Sequence, residues 1–169
     1  MKMFRICGYS SGRGVLVSRL AEELSFRQIG VAVVKYAHKP FDMDKEGSET
    51  WNLRQSGCRQ TLIANRDRWG LLCETPGQPE PDPVLLAGHL VECDLVLAVG
   101  FDNVPLPGLE VMRSGNPVEP LHKRDMHIQT IVIDAVLPFL PSGILFSFRH
   151  GDIENIAQHI LDRAVLIPA

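Results

Sequence analysis

An open, mostly parallel α/β sheet flanked by helices is the fold class this sequence predicts, and three observations predict it. Strand-like and helix-like segments alternate along the chain. Two of the strands, Val31-Ala32-Val33-Val34-Lys35-Tyr36 and Asp94-Leu95-Val96-Leu97-Ala98-Val99-Gly100, are almost continuously apolar, the signature of parallel strands covered on both faces. The first strand also passes through a glycine-rich turn directly into a helix. With 169 residues the simplest organisation is one domain spanning 1–169, since a chain of this size buries roughly 70% of its unfolded surface.

The elements follow in order. Met3 to Cys7 is an apolar strand, and Val15 to Leu24 is an amphipathic helix ending between Phe26 and Gly30. Val31 to Tyr36 reads as a buried parallel strand paired with the first. Ala37 to Gly47 is a polar loop, and Glu49 to Gly57 is a helix closed by glycine. Thr61 to Ala64 and Gly70 to Cys73 are short strands. Pro76 to Pro83, with prolines at 76, 79, 81 and 83, is an exposed extended connection, followed by a helix over Val84 to Leu90. Asp94 to Gly100 is a central strand whose C-terminal end forms a ligand edge. Leu109 to Met112, Ile128 to Asp134 and Gly143 to Phe148 are strands, and Ile153 to Leu161 is a closing helix capped by Asp152.

The net charge of −3 gives no basic field for nucleic acid or an anionic membrane. No apolar run reaches the length of a membrane span, and the N-terminus runs straight into a strand, so the chain reads as cytoplasmic. Cys7, Cys58, Cys73 and Cys93 form no CxxC pair; they read as buried thiols rather than zinc ligands. The polar cluster His122-Lys123-Arg124-Asp125-Met126-His127 reads as a solvated loop, and Trp51 and Trp69 as packing residues.

The segment richest in chemical information is Gly8-Tyr9-Ser10-Ser11-Gly12-Arg13-Gly14-Val15. Strand, glycine-rich loop and helix is the order of a phosphate-binding loop, the P-loop. There glycines let backbone N–H groups turn onto phosphate, a Lys reaches the outer phosphates, and a Ser or Thr hydroxyl holds magnesium. Neither a Lys nor a hydroxyl residue follows the last glycine here. Arg13 offers a planar cation in its place, and Ser10 and Ser11 offer hydroxyls. Lys35, His38, Asp42, Asp44 and Gly100 lie on the predicted ligand edge. Asp44 is the first candidate for a divalent metal, since oxygen ligands suit magnesium.

In its motifs the chain resembles the molybdopterin-guanine dinucleotide biosynthesis protein B (MobB) family over nearly its whole length. The family pattern runs GYSGSGKTTL, a strand ending in KH with a further His nearby, DxDxxGKDS leading into a helix that ends RxxGA, and DLVLVEGFK. Against it stand Gly8 to Val17, Lys35-Tyr36-Ala37-His38, Asp42-Met43-Asp44-Lys45-Glu46-Gly47-Ser48-Glu49-Thr50, Arg54-Gln55-Ser56-Gly57-Cys58, and Asp94 to Asp102. The second and third blocks match without a gap and are the more specific. The resemblance implies a P-loop NTPase-like, GTP-binding adapter that assists the guanylyltransferase attaching GMP to molybdopterin. It also implies molybdopterin or its guanine dinucleotide as a ligand, and a homodimer.

The departures fall where nucleotide chemistry resides. Counted back from the helix, Arg13 takes the place of the Lys and Gly14 that of the hydroxyl residue; counted forward from Gly8, the places fall to Gly14 and Val15. Val99 replaces the acid of DLVLVEG, and Ser48 replaces the Lys of GKDS. Phosphoryl transfer on such a loop is almost wholly the positioning of metal and phosphates, so these losses predict weak or no GTP hydrolysis and loss of magnesium. Two alternatives stay open: an active magnesium-dependent GTPase that uses Arg13 for the Lys, and an interaction module on the same scaffold that has lost its nucleotide.

Overall fold

The computed structural model describes residues 1–9 and 12–168; Ser10, Ser11 and Ala169 lie outside the described residues. The chain forms two compact units, Met1–Tyr36 with Asp82–Ala169, and the inserted Ala37–Pro81.

The first unit is built on a seven-stranded sheet. In chain order its strands are β1 (Lys2–Cys7), β2 (Val31–Lys35), β5 (Leu95–Val99), β6 (Gly108–Val111), β7 (Ile128–Ile133), β8 (Phe146–Arg149) and β9 (Val165–Leu166). Their order across the sheet is β2-β5-β1-β6-β7-β8, all parallel. The two-residue β9 runs antiparallel beside Lys2 and Met3 of β1. This is the expected P-loop NTPase-like α/β architecture, with the apolar Leu95–Val99 segment at its centre and every residue of it buried.

Two expectations about β2 need correction. It is parallel to β1 but not paired with it, because β5 lies between them, with Lys2 opposite Leu95 on one side and Val31 opposite Leu95 on the other. It is also an edge strand, and Val33 is 41% exposed. An apolar β-branched run satisfies an edge as readily as a centre when helices cover only part of it.

Alternation along β1 and β5 divides the core. Phe4, Ile6, Leu95, Leu97 and Val99 face helices α1 (Gly12–Phe26) and α4 (Ile153–Arg163), meeting Leu16, Leu20, Leu24, Ile156 and Ile160. Met3, Val96 and Ala98 face the opposite side, where α3 (Pro83–Ala87) packs through Ala87. Leu16, Leu20 and Leu24 recur every four residues, so one stripe of α1 is wholly buried. Asp152 stands at the N-cap of α4, but its side chain accepts from the Arg149 N–H (2.9 Å) rather than from the helix.

The second unit holds α2 (Glu49–Gln55) and the antiparallel hairpin of β3 (Gln60–Ala64) and β4 (Trp69–Cys73). Ser48 caps α2 by accepting from the Trp51 N–H at 3.2 Å. The thiols are less uniformly buried than expected: Cys7 is buried and Cys93 partly so, while Cys58 and Cys73 are exposed. Trp69 is exposed as well, because a two-stranded hairpin offers little interior.

Candidate functional site: the turn after β1 and the polar layer beneath it

Gly8 ends β1 at φ +108°, and a Cβ placed there would lie 2.4 Å from the carbonyl oxygen of Val111. Only glycine fits that close approach. Ser10 and Ser11, both named as phosphate donors, fall outside the described residues. The helix begins at Gly12, with Arg13 half-buried and Gly14 and Val15 exposed. The Arg13 guanidinium turns back to donate to the Gly8 carbonyl at 2.9 Å. It also borders Gly100, where a Cβ would come within 3.5 Å of Nη2. Arg13 and Gly100 are therefore brought together at the C-terminal edge of β1 and β5. A Cβ at Gly14 meets nothing.

Val99, at the end of β5, is 3% exposed and packs in the same cluster as Leu16. Lys35 ends β2 and is exposed.

His38, Asp42 and Asp44 belong to the second unit. Asp42 Oδ1 and Asp44 Oδ2 bind Arg54 at 2.6 and 2.9 Å, and Glu74 binds the same guanidinium at 2.7 Å. Asp44 Oδ1 accepts from the Thr50 hydroxyl at 3.1 Å. Asp42 is held below its ordinary carboxylate range, first by the Asp44 backbone N–H and then by Arg54. Arg54, on α2, is thus the hub of an ionic network that joins the Asp42–Gly47 loop to Glu74, the residue after β4.

Among the described residues, the positions that would hold magnesium are poorly suited to it. Its expected ligands are replaced by an apolar Val99 and by Gly14 or Val15, and both oxygens of Asp44 already serve Arg54 and Thr50. Among the described residues no group of three or more His, Cys, Asp or Glu side chains is gathered as for a metal ion.

The sequence reading missed a buried polar layer beneath the turn. Arg5, fully buried in the central strand β1, donates through Nη2 to Asp125 Oδ2 at 2.5 Å and through Nη1 to the Asp102 carbonyl at 3.1 Å. Glu110, opposite Cys7 in the register of β6, is 2% exposed. Its carboxylate accepts from the N–H groups of Leu121 and His122 (2.7 and 3.0 Å) and lies 2.7 Å from His122 Nδ1. The cluster at 122–127 is consequently only in part the solvated loop expected: Lys123, Arg124, Met126 and His127 are exposed, but His122 is buried and Asp125 half-buried. A charged residue in an otherwise apolar central strand, Arg5 in Met3 to Cys7, was the available signal, since such a charge demands a buried partner.

With the geometry established, its relatives can be placed. Residues 3–134 match the family described as molybdopterin guanine dinucleotide synthesis protein B. The chain belongs to the MobB family. A relative from Haemophilus influenzae, named molybdopterin-guanine dinucleotide biosynthesis adapter protein, is 34% identical over 75% of this chain and 71% of its own length. One of the same name from Escherichia coli is 31% identical over 90% of this chain and 86% of its own. A solved structure of molybdopterin-guanine biosynthesis protein B superposes with a TM-score of 0.73 at 25% identity, covering 95% of this chain and 98% of the other. Bacillus subtilis MobB superposes at 0.75 with 13% identity, covering 97% of this chain and 98% of the other, and there the likeness is one of fold.

Proposed function

We propose that this MobB-family chain is a GTP-binding-type adapter in molybdopterin guanine dinucleotide biosynthesis, acting in the cytoplasm, with weak or no GTP hydrolysis. What carries the reading is the combination of a family match over residues 3–134 with an apolar Val99 where the family pattern has its acid. The start of α1 at Gly12 and the burial of Leu16 favour counting back from the helix, because Leu16 then coincides with the Leu of GKTTL. On that count Arg13 is the phosphate cation and Gly14 supplies no hydroxyl. A guanidinium can pair with phosphate through its planar fork, so binding outlasts the loss of metal chemistry.

The partners in this reading are the molybdopterin guanylyltransferase, molybdopterin or its guanine dinucleotide, and a second copy of the chain. Support for the last is the exposed apolar side chains of Leu62, Leu71 and Trp69, which share one face of the β3–β4 hairpin, a unit that is marginal alone. The test combines calorimetry with GTP and GDP, phosphate release with magnesium, and capture of the guanylyltransferase. Nucleotide binding that is lost in Arg13→Ala, phosphate release at background and capture of the transferase are expected. Magnesium-dependent release abolished by Arg13→Ala would establish the GTPase instead, and failure to capture the transferase would remove the adapter role.

A further inference from the structure

Beside the first turn of α1 lies a cavity of about 320 Å³ at the C-terminal ends of β6, β7 and β8. Its wall on the helix side is Gly12, Leu16 and Arg19, and on the sheet side Arg113, Asp134 and His150. Arg19 and Arg113 are both exposed there, and their hydrogen bonding leaves them available to a ligand. The Arg113 side chain makes no hydrogen bond or ion pair among the described residues, although a carboxylate, Asp134, lines the same cavity. That carboxylate is engaged elsewhere: Oδ1 accepts from the N–H and the hydroxyl of Ser114 at 2.8 and 3.0 Å. Among the described residues the Arg19 side chain donates only to the His150 carbonyl, at 3.4 Å. Two guanidinium groups and the Asp134 carboxylate therefore line one concavity, and neither guanidinium forms an ion pair among the described residues.

Both arginines are exposed, so water screens their mutual repulsion, and an anion seated between them is attracted by both. Guanidinium groups are suited to phosphate because their planar fork matches two of its oxygens. His150 adds a fixed ring, since its Nε2 lies 3.0 Å from the Met112 carbonyl and must carry the proton there. At about 320 Å³ the cavity is large enough for a phosphoryl or diphosphoryl group. We propose that Arg113 and Arg19 form a second phosphate-binding subsite, next to the turn after β1 but separate from Arg13, which takes a phosphate-bearing ligand at the C-terminal edge of β6 to β8. The subsite stands on its own cations and does not require the loop to hold a nucleotide.

The test is an amide NMR titration of the whole chain with inorganic phosphate, pyrophosphate and GMP, each to about 10 mM, the range of weak anion sites. Expected are shifts at Arg19, Arg113, Ser114 and His150, with affinity reduced about tenfold or more in Arg19→Gln/Arg113→Gln, as befits two charge-assisted hydrogen bonds. Lys123→Gln, a control for overall charge, is expected to leave them unchanged. GMP exceeding phosphate would mark a nucleotide as the source; equal responses would mark a phosphate group alone. Shifts confined to Gly8 to Gly14 and lost in Arg13→Ala would overturn the second subsite while leaving the loop reading standing. Shifts at Arg113 with none at the loop would support the subsite and count against the loop. Silence towards all three anions would overturn the subsite.

Discussion

Arg5 shows at the residue scale how a central strand tolerates a charge. Its guanidinium is fully buried, yet it meets the Asp125 carboxylate and two backbone carbonyls. Taking away one member of such a pair is far more harmful than replacing both. Asp125→Asn is expected to reduce unfolding free energy by about 3 kcal/mol, the low end for a broken buried pair because Asp125 keeps some contact with water. Arg5→Met combined with Asp125→Leu is expected to recover most of that loss. Urea denaturation of the wild type and both variants measures it, and a double variant as weak as Asp125→Asn would refute the account. The same scale explains why the pair was not legible in the sequence. Asp125 sits in a polar stretch, and nothing local to it reveals that a strand 120 residues away carries its partner.

Among the elements, α4 meets the sheet through His159, whose Nε2 lies 2.8 Å from the Thr130 hydroxyl on β7. The rings of Phe4, Phe146 and Phe148 surround it. Burial, and secondarily the charge of Arg163, hold its pKa below the ordinary 6.5. The folded state thus binds a proton less readily than the unfolded chain, so stability is complete above pH 6.5 and falls as the pH drops through and below that value. Thermal unfolding followed from pH 7.5 to 5 should show this decline in the wild type and a shallower one in His159→Gln; parallel curves would remove His159 from the explanation. The elements themselves were largely legible, because periodicity and glycine punctuation are local. Strand order was not: β5 enters between β1 and β2 by long-range pairing, and the two-residue β9 is too short to leave a pattern.

Taken as a whole molecule, the four thiols report on the two units separately. Burial pushes the Cys7 thiol far above its usual range, so neither thiolate character nor access favours reaction there. Cys58 and Cys73 are exposed on the inserted unit. Alkylation of the native protein is expected to modify Cys58 and Cys73 fast, Cys93 more slowly, and Cys7 only on global unfolding. Mass spectrometry of the peptides over time checks this, and early labelling of Cys7 would mean that β1 opens well before the rest. The candidate site divides in the same way. Arg13 and Gly100, legible from the loop motif and the central strand, do come together in the first unit, whereas Asp42 and Asp44 were legible as carboxylates but not as partners of Arg54.

The backbone of β6 fills the space where any side chain at position 8 would stand. Gly8 is consequently demanded by the folding of the sheet and would be kept by a descendant that had abandoned phosphate altogether. Gly14 has open space around its Cα and is under no such obligation. When relatives of this chain are compared, the persistence of the first glycine therefore carries no news about ligands, and positions 13, 14 and 99 are the ones that report on the proposed nucleotide site.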